Sequence, residues 1–213
     1  MNVSREIIEL AMKGETLKKI GRSGWSLAGV DCARQESVGE HSFGTILLSL
    51  IISKLLLSRG ENFDFSKVLS MATIHDLPES LTSDIPRTAT ELGGEPFQEA
   101  KARAEDESML RLTEKSEAFG DWLIKLWRAI GDNNTLEARI VCGADIIDML
   151  VHAISLETSG VSPKILDQFF VKAHDMVKNL GLGIVEDIFW ELYKKHVDFA
   201  GTRGVELNII TQT

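Results

Sequence analysis

Three stretches of this chain are too apolar to lie anywhere but against a core, and each has an ionisable side chain set into it. "VGEHSFGTILLSLIISKLLL" carries His41, "VLSMATIHD" ends on His75 and Asp76, and "ARIVCGADIIDMLVHAI" carries Asp145. Apolar residues in these stretches recur at three- and four-residue spacing, the period of a helix with one side in a core. Two imidazoles and two carboxylates therefore enter the interior on three separate helices. A buried carboxylate needs a cation or a dense set of hydrogen bonds, and a buried imidazole without a partner is costly. One divalent metal ion would satisfy all four. The mixed nitrogen and oxygen set suits Mn, Fe, Co, Ni or Zn, with coordination positions left for water.

The same period runs through most of the remaining chain and predicts an all-α protein, with helices over about 3–20, 38–59, 65–77, 96–118, 120–130, 135–158, 163–180 and 184–199. Only "GVELNII" near the C-terminus alternates strictly. Ser37 and Glu40 have the spacing of a capping box at the start of the second helix, and Ser162-Pro163 sets a cap residue before a first-turn proline. Pro78 ends or bends the third helix just after His75-Asp76. The segment from Glu79 to Pro96, with Pro86, Gly93 and Gly94, reads as an irregular functional loop. A chain of 213 residues can bury one substantial core. Residues 1–200 are expected to form one helical domain, a single-domain bundle, and 201–213 a C-terminal tail, extended if ordered.

Composition narrows the partners. Lys and Arg number 23 against 32 Asp and Glu, a net charge of −9 that repels a polyanion and argues against nucleic acid. The run "FGTILLSLIISKLLL" is interrupted by Lys54 and falls short of the roughly 20 apolar residues that span a bilayer, so it reads as a buried helix and no membrane is expected. Cys32 and Cys142 show no CxxC spacing and no disulfide framework, which fits a reducing compartment. The charged N-terminus lacks the pattern of a signal peptide, and the expected location is cytoplasmic.

Two other groupings compete for the metal. His174-Asp175 lies between Lys172 and Lys178 and reads as a solvated helix face. Asp145, Asp148 and His152 share one helical face at i, i+3 and i+7. That set leaves His41 and His75 unexplained, so Asp148 and His152 are read as supporting residues.

The order EH, then HD with acids just downstream, then a distant Asp within a helix resembles the HD-domain superfamily of metal-dependent phosphohydrolases. The segments "LKKIGRSGWSLAGV", "QESVGEHSF", "ATIHDLPESLTSDIPR", "KARAEDESMLRL" and "EARIVCGADIIDML" look like successive blocks of its 5′-deoxynucleotidase branch, R-x-x-W element included. The resemblance implies an HD-type helical bundle in which His41, His75, Asp76 and Asp145 are the metal ligands. It makes Arg22 and Trp25 contacts for the phosphate and sugar, Glu79 a catalytic carboxylate, and Asp84 a second acid.

These residue types suit the chemistry implied. An arginine fork can meet two phosphate oxygens at once. Trp25 either packs on a deoxyribose face or anchors its loop, since aromatic burial fits both. Glu79 either gives a proton to the leaving 5′-oxygen or positions the water, and Asp84 supports the leaving group or orients Arg22. Two positions depart from the branch: Ser83, where glycine is common, and Ile146, where a basic residue is common, a loss that Arg139 or another cation would have to offset. The expected activity is hydrolysis of 5′-deoxyribonucleoside monophosphates, a small-molecule nucleotide substrate. The alternatives are another HD phosphohydrolase, acting on a triphosphate, a cyclic nucleotide or a different monoester, and a non-catalytic regulatory module. The resemblance also implies a homodimer, and Trp122, Leu126 and Trp127 in 120–130 fit an interface as well as a core.

Overall fold

Helix is the only regular secondary structure among the residues described by the structure, a computed structural model covering 3–31, 34–116, 118–131 and 134–211. The one β contact is an isolated antiparallel bridge between Gly21 and Ser37. In chain order the helices are α1 (Val3–Leu17), α2 (Ser23–Leu27), α3 (Val38–Ser58), α4 (Phe65–Ile74), α5 (Glu79–Thr82), α6 (Arg87–Thr113), α7 (Gly120–Arg128), α8 (Leu136–Thr158), α9 (Pro163–Leu180) and α10 (Gly183–Arg203). The most extensive packing is between α3 and α8, with α4 against both and α9 and α10 closing the other side of α8.

Both expected helix starts are found, but only Ser37 caps through its side chain; Ser162 precedes α9 without a side-chain cap hydrogen bond. Ser37 accepts from the Glu40 amide while Glu40 accepts from the Ser37 amide, a complete capping box that fixes where α3 begins and therefore where His41 points. Pro163 opens α9. The third predicted helix ends at Ile74, and residues 75–78 turn the chain into α5.

The 79–96 segment is not the irregular loop its prolines and glycines predict. Glu79–Thr82 is one helical turn, and α6 begins already at Arg87. Gly94, at φ 63° and ψ −163°, breaks α6 into two limbs, and Pro96 occupies the first turn of the second limb. Two breaker residues thus mark a kink between helices.

α3 is turned the opposite way from expectation. Its buried side is Val38, His41, Thr45, Ser49, Ile52, Ser53 and Leu56, much of it polar, whereas Phe43 (68% exposed), Leu47, Leu50 and Ile51 (55% exposed) face outward. By length and composition the 21-residue helix could cross a bilayer, although its most apolar stretch in the sequence is shorter. The inward polarity has a reason in packing. A Cβ on Gly44 would lie 1.8 Å from Asp148 Oδ1, so α3 meets α8 through a carboxylate lodged against bare backbone.

In α7, Leu123 and Leu126 are buried and Trp122 is exposed. Burial and Asp145 push the Cys142 thiol up to about 11; Cys32 lies outside the described residues. The C-terminal boundary falls at Gly204, which caps α10 at φ 64°. The tail that follows folds back rather than reaching out. Asp167 Oδ2 accepts from the Asn208 amide (2.9 Å) and from its Nδ2 (2.6 Å), and Tyr193 hydroxyl accepts from the Ile210 amide (3.0 Å). Beneath this tail a second buried histidine, His196 on α10, lies between Glu157 of α8 and Asp167 of α9, with Phe170 stacked on its ring at 4.1 Å.

Candidate active site

α3, the α4–α5 turn and α8 bring the four expected ligands to one point. His41 Nε2 lies 2.9 Å from Asp145 Oδ1 and 3.8 Å from Asp76 Oδ2, and His75 Nε2 lies 3.2 Å from Asp76 Oδ2. Ligand atoms of His41, His75 and Asp145 fall within 4.8 Å of one another. His41, Asp76 and Asp145 line a 480 Å³ cavity whose wall also includes Arg22, Glu79, Asp84 and Lys101, with His75 outside that lining. A larger groove of 580 Å³ between α1 and α6 holds no histidine, so the chemistry identifies the smaller one.

The tautomers show what the cluster is built for. His75 Nδ1 is 2.9 Å from the Ala72 carbonyl, an acceptor, so its proton sits on Nδ1 and Nε2 turns inward. That nitrogen is buried and makes no hydrogen bond, even with a carboxylate 3.2 Å away. His41 Nδ1 is 2.7 Å from Asp148 Oδ2, which again fixes the proton there and aims Nε2 at Asp145. Arg22 Nη1, 3.2 Å from the same Nδ1, is then a neighbouring donor and not its hydrogen-bond partner. Two imidazole lone pairs thus converge on two carboxylates, four electron-rich groups that need a cation among them. An imidazole held through its far nitrogen by a carbonyl or carboxylate is the usual arrangement of a metal ligand. The residues fit a divalent transition metal.

Burial and the neighbouring charges compete at each group. Burial and the Arg22 charge oppose protonation of His41, but Asp145 and Asp148 outweigh them and hold it at about 10. Burial likewise opposes charge on His75, and Asp76 overcomes it. Against their own burial, Asp76 is held well below the carboxylate range chiefly by His75, and Asp145 is lowered chiefly by His41.

Glu79 behaves in the opposite sense. Burial, then the charges of Asp76 and Asp84, push it up to about 9 although Lys101 and Arg22 pull it down. It is a carboxylic acid poised to give a proton. Asp84 accepts from the Ser23 amide at 2.5 Å and from Ser23 Oγ at 2.7 Å, pinning the residue that follows Arg22 to the turn carrying Glu79. Between these acids Ser83 sits at φ 63°, ψ 169°, a glycine conformation taken up by a serine. Asp84 therefore orients the Arg22 segment.

Trp25 does not wall the cavity. It is 2% exposed, its ring 4.5 Å from Phe169 and 5.1 Å from His152, and its Nε1 donates to Glu36 at 2.9 Å. No face is left for a sugar, and the loop-anchor alternative describes it. Arg139 also lies elsewhere, donating to the Leu180 carbonyl, and does not offset the apolar Ile146. Of the competing groupings, Asp148 supports His41, and His152 lies 3.5 Å from Glu36. His174 packs on Phe189 and Trp190 and is only partly exposed, whereas Asp175 is solvated.

Sequence reasoning missed two contributors. Glu36, nearly buried, gathers Arg22 at 3.4 Å together with Trp25 and His152; its place one residue before the capping serine was the available signal. Lys101 opens the α6 segment "KARAEDESMLRL", which carried the resemblance as a block without marking this lysine among its charged neighbours.

Comparison with known proteins places the chain in a family. Residues 14–180 match the family described as HD domain. The chain belongs to the HD-domain family. It is 29% identical over 183 residues to 5′-deoxynucleotidase HDDC2 of Dictyostelium discoideum, covering 80% of this chain and 92% of that protein. It is 29% identical over 209 residues to 5′-deoxynucleotidase YGK1 of Saccharomyces cerevisiae, covering 87% and 90%. Among solved structures, PH0347 from Pyrococcus horikoshii superposes with a TM-score of 0.73 at 33% identity, over 88% of this chain and 99% of that one.

Proposed function

We propose that this protein is a metal-dependent 5′-deoxynucleotidase, converting 5′-deoxyribonucleoside monophosphates and water to deoxynucleosides and phosphate. One observation carries the reading: two histidines locked with Nε2 inward face Asp76 and Asp145, and His41 and both acids line a nucleotide-sized cavity together with Arg22 and Glu79. The names of the Dictyostelium and yeast relatives support the substrate class. His41, His75, Asp76 and Asp145 would hold an ion of the Mn, Fe, Co, Ni or Zn type. Such an ion supplies a more acidic water and a Lewis acid for a phosphate oxygen.

The protein's own groups do the rest. Arg22, steadied by Glu36 and by the Ser23–Asp84 contacts, orients the phosphate at the cavity wall. Water oxygen bonds to phosphorus as the bond from phosphorus to the 5′-oxygen breaks; Glu79 delivers its proton to that leaving oxygen, and a proton released from the attacking water restores the Glu79 acid. Asp148 keeps the His41 proton on Nδ1. The test is phosphate release from deoxy- and ribonucleoside monophosphates with Mn, Co, Ni, Fe or Zn, against chelated protein. Metal-dependent release from the deoxy series is expected. Release of pyrophosphate or tripolyphosphate from triphosphates alone would move the protein to another branch, and no turnover of any phosphate ester would make it a binding module.

We further propose that the protein works in the cytoplasm as a homodimer, with the outward face of α3 as the surface shared by two copies. Phe43, Leu47, Leu50 and Ile51 form an uncharged stripe on a chain of net charge −9, where two copies can approach without repulsion. Light scattering should give a dimer that the double variant Phe43→Glu, Ile51→Glu reduces to monomer; a wild-type monomer would overturn the assignment.

A further inference from the structure

The phosphate has an electrostatic difficulty. Asp76, Glu79, Asp84 and Asp145 all face the cavity, and a phosphomonoester arrives as an anion. Arg22 is already shared with Glu36, and the residue after Asp145 is the buried, uncharged Ile146. Of the three other cations lining the cavity, Arg87 is bound to Glu91 and to the Met176 sulfur, and Lys172 is bound to the same Glu91 at 2.7 Å. Those two close the rim against each other through one carboxylate.

Lys101 differs from both. It stands on the second limb of α6, its side chain 28% exposed, with one contact to Glu105 at 2.7 Å. An ammonium has three donors, so two are left for a ligand. Burial opposes its charge, but Glu105 and then Glu79 and Asp76 outweigh the cost and keep it cationic, which also places it within electrostatic reach of the reacting groups. Its stem separates the site cavity from a neighbouring 340 Å³ hollow lined by Ile85, Thr90 and Gln98. The ammonium therefore has open space on both sides in which to swing from Glu105.

We propose that Lys101 is a substrate-binding residue that contacts the phosphoryl group opposite Arg22, supplying from α6 the positive charge that α8 lacks at Ile146. The assignment rests on the phosphatase reading, and its test is arranged to stand apart from it. Its rival is a plain i,i+4 pair with Glu105 that stabilises the helix and does nothing for a ligand.

The probe is inorganic phosphate, titrated calorimetrically into metal-loaded protein, so that no turnover is needed. Lys101→Met should weaken phosphate binding by about 10- to 100-fold, the usual loss for one charge-assisted hydrogen bond. Lys101→Arg should recover most of it, and Glu105→Gln, which removes the pair from its other end, should leave binding equal or tighter. In turnover assays the Lys101→Met loss should appear mainly in KM. Unchanged phosphate affinity in Lys101→Met, or an equal loss in Glu105→Gln, overturns the proposal. A protein that binds phosphate through Lys101 yet hydrolyses no nucleotide would instead sink the nucleotidase reading alone. Should Lys101→Met fail to fold, Lys101→Gln carries the same comparison.

Discussion

Two buried clusters in this bundle set histidine among carboxylates, yet only one of them is open to chemistry. His196 has both ring nitrogens taken, Nδ1 by Glu157 and Nε2 by Asp167 at 3.4 Å, with Phe170 stacked on one face and the C-terminal tail tied to Asp167. At the other cluster, His41 and His75 each spend one nitrogen on a support and turn the second toward acids at the floor of a cavity. Residue types are nearly the same in both places. What differs is whether a nitrogen lone pair has been left over and whether anything can reach it. A closed acid–histidine–acid set joins three helices and a tail, while an open one holds an ion.

The sharpest way to break this contrast is to remove each histidine. His75→Ala should abolish metal-dependent hydrolysis while the protein stays folded, read by phosphate release beside circular dichroism. His196→Ala should do the reverse, costing about 3–5 kcal/mol in denaturant unfolding because buried carboxylates lose their partner, with activity per folded molecule retained. Loss of activity without loss of stability in His196→Ala would erase the distinction.

Next in size is Glu79→Gln, expected to lower kcat by about 10²–10⁴ while metal content stays constant. The reactive form of Glu79 is the acid, so the wild-type rate should fall as pH rises through its pKa. In the metal-free protein that value is about 9, and a bound cation favours the ionised form, so the alkaline limb should lie below it. A rate that climbs steadily through pH 9 would exclude Glu79 as the proton donor.

Gly44→Ala probes the support behind His41. The added methyl would collide with Asp148, and displacing such a support should cost about 10- to 100-fold in metal affinity or activity. Titration with Mn²⁺ followed by phosphate release separates the two. The smallest effect belongs to Ser83→Gly: relief of a backbone strained at φ 63° should raise stability by about 1 kcal/mol, visible as a higher Tm.

The sequence made the open cluster legible because its four ligands interrupt apolar helical runs, where an acid or imidazole has no cheap explanation. The closed cluster escaped notice for the opposite reason. "KKHVDF" looks like a solvated face, and nothing local says that α8 and α9 will deliver Glu157 and Asp167 to it. Helix starts were readable at Ser37 through its capping box and at Ser162-Pro163 through the first-turn proline. The Glu79–Pro96 segment was misread because Gly93, Gly94 and Pro96 signal the end of a helix equally well whether a loop or a second limb follows. Trp25 and Lys101 show a further limit: which side of a cavity wall a residue occupies is decided by tertiary packing, through Phe169 and His152 for the tryptophan and through the α6 limb for the lysine.

A glycine in mid-helix gives up about 0.5–1 kcal/mol relative to alanine, so at position 44 helix propensity alone would favour the larger residue, and it is the Asp148 carboxylate that excludes it. Position 44 can therefore serve as a witness. In a descendant of this chain that had stopped working as an enzyme, the Asp148 carboxylate would have no imidazole to steady, and a methyl group could fill its berth with profit to the fold.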